Sequence, residues 1–257
     1  MNETLFIRLG EPAKALVAKN LGTLKLDEQP AGLDFVRAKW REPQLGVIEV
    51  KQGVLGVKFD KVLTLDAMQD TGSFGSEGIV EIDVNMMLAD QEKIGHDEAR
   101  QRFFAFLESL RSSGWISTVD RGMPRLAGQD RFVYTMSRSA TMGLDVAHLP
   151  NLSEWMRIEP QTPWGFWREG VFLEVSFMRE PTLLDVAKPG VYVLTARVRT
   201  ASEEARSLVE PRDRDRWKEA LPGVLKQLDV LRDREERELS AKGITIRTEY
   251  LDPPLVD

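Results

Sequence analysis

The chain has 257 residues, of which 42% are hydrophobic and 30% are charged. It is therefore long enough for one large domain or two smaller ones, and its composition is that of a globular protein. The formal net charge of −6 gives no general attraction to phosphate backbones, so we expect no nucleic-acid partner. The absence of cysteine excludes disulfides, thiolate nucleophiles and thiolate zinc sites.

The N-terminal segment gives no clear targeting signal. No apolar run approaches the roughly 18–20 residues that span a bilayer, and residues 1–5 lack the basic and apolar regions of a signal peptide. Two hypotheses on location follow. The protein is periplasmic if an export signal has been removed from this sequence, and otherwise it is cytoplasmic.

Short apolar and β-branched runs, separated by Gly and Pro, predict strands along most of the chain. Gln52-Gly53 lies between two such runs and indicates a hairpin. The predicted strands cover residues 5–7, 24–26, 47–51, 54–59 extended by 62–65, 79–84, 131–136, 170–178, 192–199 and 244–251. Shorter helices are expected at 12–20 and within 144–159.

The clearest predicted helix covers residues 97–113. Apolar residues recur there at helical spacing and form one face, and carboxylates occupy the first turn. Gly114 is a natural residue to end the helix, and we expect Trp115 to fold back onto the helix end. The apolar face consists of Ala99, Phe103, Phe106, Leu107 and Leu110.

A second long helix is predicted over residues 202–242, and Pro222 within it should kink or divide it. The apolar stripe comprises Trp217, Leu221, Val224, Leu228 and Leu231. Charges of alternating sign fill the remaining positions, a pattern typical of a solvated face with i,i+4 ion pairs. A coiled-coil or partner-binding helix is the alternative.

The order of elements repeats loosely. A strand at 79–85 precedes the helix at 97–113, and a strand at 191–199 precedes the helix at 212–242. This repetition predicts an α+β protein with two lobes, each an antiparallel sheet with a long helix on one face. The predicted domains are residues 1–140 and 141–257. The alternative is a single mixed sheet with helices on one face.

The two histidines do not form a recognisable catalytic arrangement. Serine hydrolases need a base, most often His, and the chain lacks a Gly-x-Ser-x-Gly motif. His96 lies at a predicted helix start, where a capping or solvent-exposed role is expected. His148 lies in a predicted loop and is interpreted as a surface imidazole. We therefore predict that the protein is not an enzyme.

The glycine-rich loop at 72–78 lacks the lysine of a phosphate-binding P-loop and leads into a strand rather than a helix. It is therefore interpreted as a mobile or strand-linking loop, and no cofactor is expected.

Carboxylates offer two weaker possibilities. Asp83, Asp90 and Asp97 are spread over a strand, a loop and a helix start, where a calcium site is conceivable but no metal site is predicted. Glu169 and Glu174 flank a strand and are interpreted as solvated surface charge. A hydrolase with carboxylate chemistry would need two acidic groups roughly 5–10 Å apart in a deep pocket.

The most unusual local feature is aromatic, because three of the six tryptophans, Trp155, Trp164 and Trp167, fall within residues 155–167. Two interpretations stay open. The aromatic residues either fill the seam between lobes, or they form a recognition patch, since Trp and Arg are favoured at the centres of protein interfaces.

Two segments resemble a known family. Residues 21–32 are similar to the opening of periplasmic immunity proteins that neutralise lipase effectors of bacterial type VI secretion, and residues 164–173 resemble a tryptophan-rich turn into a strand in such proteins. The resemblance implies two α+β lobes that clamp a toxin and block its active site. It also implies an exported protein.

The resulting expectation is an immunity-type inhibitor that binds a secreted toxin enzyme and occludes its active site, as a monomer or weak dimer without a membrane span. A cytoplasmic secretion adaptor or chaperone for an effector is the alternative, and a carboxylate-dependent hydrolase is a third. The expected partner-contact residues are Trp155, Trp164, Phe166, Trp167 and Arg168.

Overall fold

A computed structural model describes residues 3–53, 55–138 and 142–255 of the chain. The strands are β1 (Thr4–Arg8), β2 (Lys25–Glu28), β3 (Leu33–Lys39), β4 (Gly46–Gln52), β5 (Leu55–Asp70), β6 (Ile79–Met87), β7 (Lys93–Ile94), β8 (Ile116–Ser117), β9 (Trp164–Arg168), β10 (Val171–Arg179) and β11 (Gly190–Thr200). The helices are α1 (Ala13–Lys19), α2 (His96–Ser112), α3 (Gly128–Met136), α4 (Leu152–Arg157), α5 (Ala201–Leu208) and α6 (Trp217–Ala241), with short 3-10 helices at Gly75–Glu77 and Pro211–Arg216.

The strands of the described chain form one 11-stranded sheet, whose main path runs β1-β4-β5-β6-β11-β10-β9-β8. Strand β2 joins through β3, which pairs with β5, and β7 pairs with the start of β11. The β1–β4 pair is parallel, and the other pairs are antiparallel. The predicted hairpin at Gly53 is confirmed by the β4–β5 pair, although Val54 lies outside the described residues.

The division into two lobes, each with its own sheet, is not confirmed. Strand β6 of the first half pairs with β11 of the second half, in a register that runs from Glu81↔Arg199 to Met87↔Val193. The backbone hydrogen bonds of these strands therefore join the two halves in one sheet. The expected boundary between residues 140 and 141 lies outside the described residues.

Strand β5 has two partners in succession on one edge. Its first part pairs with β4 and its second part with β3. At the change-over the register shifts, and Lys61 has a φ of 57°. Such a bulge bends a strand, so it lets β5 continue from the β1–β4 end of the sheet to the β3 side.

The core is built on the aromatic cluster around Phe103 of α2. Its ring centroid lies 5.5 Å from that of Trp155, 4.8 Å from that of Trp164 and 5.6 Å from that of Phe177. These rings are fully buried, and their tilted and edge-on contacts are the favoured aromatic geometries. The three segments that carry them are thereby fixed against α2.

Helix α2 confirms the predicted helix and most of its buried face, since Ala99, Phe103, Leu107 and Leu110 are buried. Phe106 is only partly buried and contacts Phe59. The predicted return of the chain after the helix is also confirmed. The Trp115 amide donates a hydrogen bond to the Leu110 carbonyl at 3.1 Å, and its side chain is buried.

Helices cover both faces of the sheet. Adjacent residues of a strand point to opposite faces, and Leu173 belongs to the core around α2 whereas Phe172 packs against a second cluster. That cluster contains Trp217 and Leu221 of α6 and Ala205 of α5. The alternative prediction, a single mixed sheet with helices on one face, is therefore wrong about the placement of the helices.

Two predicted strands are wrong. Residues 131–136 belong to α3, where the buried Arg131 side chain donates to the carbonyls of Gly143 at 2.7 Å and Thr118 at 2.8 Å. Residues 244–251 form no strand, and Ile244 packs against the cluster around Leu239 instead. In both segments tertiary contacts override the β propensity of the local sequence.

The predicted helix at 202–242 is divided, but not at Pro222, which lies within the first turns of α6. The break falls at Val209, whose backbone is extended, before the 3-10 helix that begins at Pro211. Pro222 lacks the amide that would donate to the Lys218 carbonyl, yet α6 continues through it to Ala241.

The sequence pattern predicts that the charged half of α6 is a solvated face, but in the structure part of this half is buried. Arg232 and Glu236 are buried on its inward side, and Leu231 is exposed. Arg232 donates to both carboxylate oxygens of Asp252, at 2.6 and 3.1 Å, and the Arg125 guanidinium binds Glu236 at 2.6 and 2.8 Å. These pairs fix the C-terminal tail and the 120–126 loop to α6.

The glycine-rich loop at 72–78 links β5 to β6, which confirms the interpretation as a strand-linking loop. A buried arginine anchors this loop. Arg206 of α5 donates to the two Glu77 carboxylate oxygens at 3.0 and 2.8 Å and to Glu203 at 2.9 Å. Burial acts to raise the pKa of Glu77, but the hydrogen bonds and charge of Arg206 outweigh it and hold that pKa below its usual value.

We expect Phe103→Ala to lower the free energy of unfolding by about 3–5 kcal/mol, because it opens a cavity at the centre of the aromatic cluster. Urea denaturation measures the change. Phe6→Ala is the matched control, since Phe6 is half-exposed, and it should change stability by less than about 1 kcal/mol. Equal losses in the two variants would contradict a core centred on Phe103.

We expect Arg206→Met to cost about 3 kcal/mol, because it removes the guanidinium partner of Glu77 and leaves Glu203 paired with Arg214 alone. Arg212→Met, at an exposed position of the same region, is the control. Chemical denaturation gives the energies, and amide exchange across residues 72–78 tests whether Arg206 anchors the loop. A variant that keeps slow exchange there would refute the anchoring role.

Candidate functional site

The five expected contact residues do not form one surface. Trp155, Trp164 and Phe166 are fully buried in the main core, so their side chains are not available to a partner in this conformation. Trp167 and Arg168 are only partly buried. The alternation of side chains along β9 explains this separation, because Trp164 and Phe166 face the core and Trp167 faces away from it.

The outward-facing part of this region forms an edge patch, defined by Ile116 and Trp167. Ile116 of β8 is 57% exposed and lies opposite Trp167 in the strand register, and Trp167 in turn lies opposite Phe172 of β10. Strand β8 is the last strand at this end of the sheet. An exposed aliphatic side chain therefore stands beside an indole at a sheet edge.

Arg168 lies at the same edge but on the opposite face of β9. Its guanidinium donates to the Ser113 carbonyl at the end of α2, and its Nε lies 3.5 Å from the Glu169 carboxylate. A cation at the C-terminal end of a helix is favourable for the helix dipole. Arg168 therefore has a structural role, and it also places a positive charge beside the patch.

The outer face of the sheet carries a row of charges across neighbouring strands, in register from Arg37 through Asp66, Asp83 and Arg197 to Glu174. Arg37 Nε donates to Asp66 at 3.0 Å and Arg197 Nε to Asp83 at 2.7 Å. Two carboxylates directly opposite each other would repel, and the flanking arginines offset this repulsion.

Glu174 lies at the end of this row and is a carboxyl group with a raised pKa. Burial raises its pKa above the usual value, and the positive charges of Arg199 and Arg197 act in the opposite direction. The interpretation of Glu174 as solvated surface charge is therefore wrong. The adjoining cavity has a volume of about 60 Å³ and includes Asp120 and Glu204 in its lining. A cavity of this size is too small for a sugar ring, so it does not favour glycoside chemistry.

Each of the three carboxylates considered for calcium forms an ion pair with a different basic side chain. Asp83 binds Arg197, Asp90 binds Lys61 at 2.7 Å, and Asp97 binds Arg100 at 2.7 Å. Within the described ranges no group of three or more His, Cys, Asp or Glu could hold a metal ion. The calcium possibility is therefore not supported.

His96 is buried rather than exposed at a helix start, so the capping or solvent role expected for it is wrong. Its Nδ1 lies 2.5 Å from the Tyr192 hydroxyl, and the Trp155 indole donates to the same hydroxyl at 3.3 Å. Burial lowers the pKa of His96, and the positive charge of Arg179 adds to this effect, whereas contact with Asp185 opposes it.

His148 is likewise not a simple surface imidazole. Its ring packs against Phe132, with centroids 4.6 Å apart, and its Nε2 lies 3.5 Å from the Glu154 carboxylate. Glu154 also completes a capping box with Asn151 at the start of α4. His148 therefore supports the packing of α4 near α3.

No family model, curated protein or solved structure matches this chain. Among the described helices, none is long and apolar enough to cross a bilayer.

We expect the stability of the protein to fall as the pH drops from about 7 to 5.5. The folded state keeps His96 neutral with a lowered pKa, so the stabilisation is complete above the unfolded pKa near 6.5 and is lost as the pH falls toward the folded pKa. Denaturation at a series of pH values measures this loss.

His96→Gln should remove most of this pH dependence, because Gln can still bond to Tyr192 but does not titrate. His148→Gln is the control, since it removes the other histidine of the chain. An unchanged pH profile in His96→Gln would contradict the assignment.

Proposed function

We propose that the chain is an immunity-type inhibitor that binds a secreted bacterial toxin enzyme stoichiometrically and occludes its active site. The observation that supports a protein-binding role is the edge patch, where Ile116 and Trp167 present apolar surface at the end of the sheet beside Arg168. Trp and Arg are the residue types most enriched among those that dominate binding energy at protein interfaces. The resemblance of residues 21–32 and 164–173 to immunity proteins supports the choice of partner.

The contact surface in this proposal is a sheet edge rather than the mouth between two lobes, because strands from both halves of the chain pair in one sheet. The patch is rigidly supported. Trp167 lies between Ile116 and Phe172 in the register, and Phe172 packs against the cluster that contains Trp217. A preorganised surface loses little conformational entropy on binding, which favours tight complexes.

The direct test mixes the purified chain with the toxin encoded by a neighbouring gene and follows both binding and toxin activity. We expect a one-to-one complex and complete inhibition at one equivalent. Trp167→Ala should weaken binding by about 2 kcal/mol or more, the loss typical of a residue that dominates an interface. Toxin that stays active in a stable complex would favour a secretion adaptor over an inhibitor.

Ile116→Asp and Val133→Asp form a matched pair for this test. Ile116 is 57% exposed within the patch, and Val133 is 56% exposed on α3. The first substitution should weaken inhibition about ten-fold or more by burying a charge at the contact, and the second should leave it unchanged. Equal effects of the two variants, or full binding by both, would exclude the edge patch as the contact surface.

A further inference from the structure

The end of the sheet opposite the edge patch contains an open groove, which lies between β1 and α1. It is here called the β1 groove and is lined by Phe6, Arg8, Ala15, Leu16, Lys19 and Lys51, among others, with a volume of about 560 Å³. This volume lies within the range of roughly 300–1,000 Å³ found for ligand sites.

The backbone of β1 is open along this groove. Strand β1 is the terminal strand of the sheet and pairs with β4 alone among the described strands. In a strand with one neighbour, alternate residues direct their amide and carbonyl groups away from that neighbour. The Arg8 carbonyl accepts from the Glu11 amide, and within the described part of the chain no group outside β4 bonds to the backbone of Leu5, Phe6 or Ile7.

The side chains along the groove are apolar and basic. Phe6 is 51% exposed, and the Lys51 ammonium lies 4.2 Å from its ring centroid. Arg8 is exposed, and no carboxylate in the described ranges forms an ion pair with it. The lining contains three cations and one carboxylate. Lys19 binds Glu11, and the Lys51 ammonium lies 3.5 Å from the Glu49 carboxylate at the edge of the groove. This local positive charge contrasts with the net charge of −6 of the whole chain.

We propose that the β1 groove binds an extended, acidic segment of another protein, which adds to β1 as a further strand. Five residues of β1 provide an edge about 17 Å long for backbone pairing. Strand addition of this kind takes its affinity from main-chain hydrogen bonds and its specificity from alternate side chains. Here carboxylates of the segment would contact Arg8, Lys19 and Lys51, and an apolar side chain would cover Phe6.

Charge argues against a second copy of this chain as the occupant. Pairing of β1 with β1 across a two-fold axis would place the same basic lining on both sides of the contact, and like charges at an interface are unfavourable. An acidic segment neutralises the lining instead. The proposal does not rest on the toxin-inhibitor role, because the edge patch lies at the other end of the sheet.

The test selects random twelve-residue peptides from a display library on the full chain and measures the affinity of the enriched peptides in solution. We expect enrichment of Asp, Glu and β-branched residues. Hydrogen exchange of the complex should show new protection of residues 4–8. Two versions of each peptide are then made, with N-methyl groups on one or the other set of alternate backbone amides. Methylation of the set that pairs with β1 should weaken binding by about ten-fold or more, because it removes the main-chain hydrogen-bond donors.

Arg8→Glu and Phe6→Ala should each weaken peptide binding about ten-fold. Arg212→Glu and Leu251→Ala, at exposed positions elsewhere, are the controls, and unchanged thermal unfolding confirms that the variants fold. Trp167→Ala should bind the peptides like the wild type, which separates this proposal from the inhibitor role.

Four outcomes would overturn the proposal. Selection could yield no acidic peptides or equal enrichment on Arg8→Glu, both methylation registers could leave binding intact, or the chain alone could dimerise with protection of residues 4–8. The last result would identify a second copy as the occupant.

Discussion

The antiparallel pairing of β6 with β11 connects the two halves of the chain, and the other features of the fold depend on it. Because β11 also pairs with β10, the strands of residues 164–200 extend a sheet begun by residues 4–87. Alternate residues of this sheet then contribute to one core under α2. Trp155 and Trp164, which two separate lobes would have placed at a seam, lie inside that core, and the opposite face carries the row of paired charges.

Buried arginines have a second organising role. Arg131, Arg179, Arg206 and Arg232 are buried, and each has several partners on a loop, a helix end or the tail. Arg179, for example, donates to the carbonyls of Trp155, Met156 and Ile158 at the C-terminal end of α4. A guanidinium has five donors in a fixed planar arrangement, so one side chain can satisfy several otherwise unpaired acceptors. These four arginines therefore hold loops, helix ends and the C-terminal tail in place.

The sheet has two unlike ends, and this difference separates the two proposals. At the β8 end the edge strand is short, and the exposed side chains are an aliphatic residue and an indole. At the β1 end the edge is longer, open along its backbone and surrounded by cations. Exposed sheet edges tend to pair with other chains unless they are short, charged or covered. The positive charge at β1 opposes self-pairing and favours an acidic partner strand.

The sequence by itself determined the elements whose periodicity is strong. Helix α2 and most of its apolar face, the β4–β5 hairpin, β6, β10 and β11 could be predicted, because hydrophobic spacing is a local property of the sequence. Trp167 and Arg168 could be named as candidates because the concentration of tryptophans near a turn is visible in the sequence itself. The sequence also excluded every site that requires cysteine.

Only the tertiary structure decided which strands pair. Backbone hydrogen bonds are the same for every strand, so they do not show in the sequence which distant strand will be the neighbour. The tertiary structure separated Trp167 from the buried Trp155, Trp164 and Phe166, and it turned residues 131–136 into a helix held by Arg131. It also placed His96 beside Tyr192 and opened the groove between β1 and α1. Each of these outcomes depends on contacts between residues far apart in the chain, whose burial and charge environment exist only after the sheet has formed.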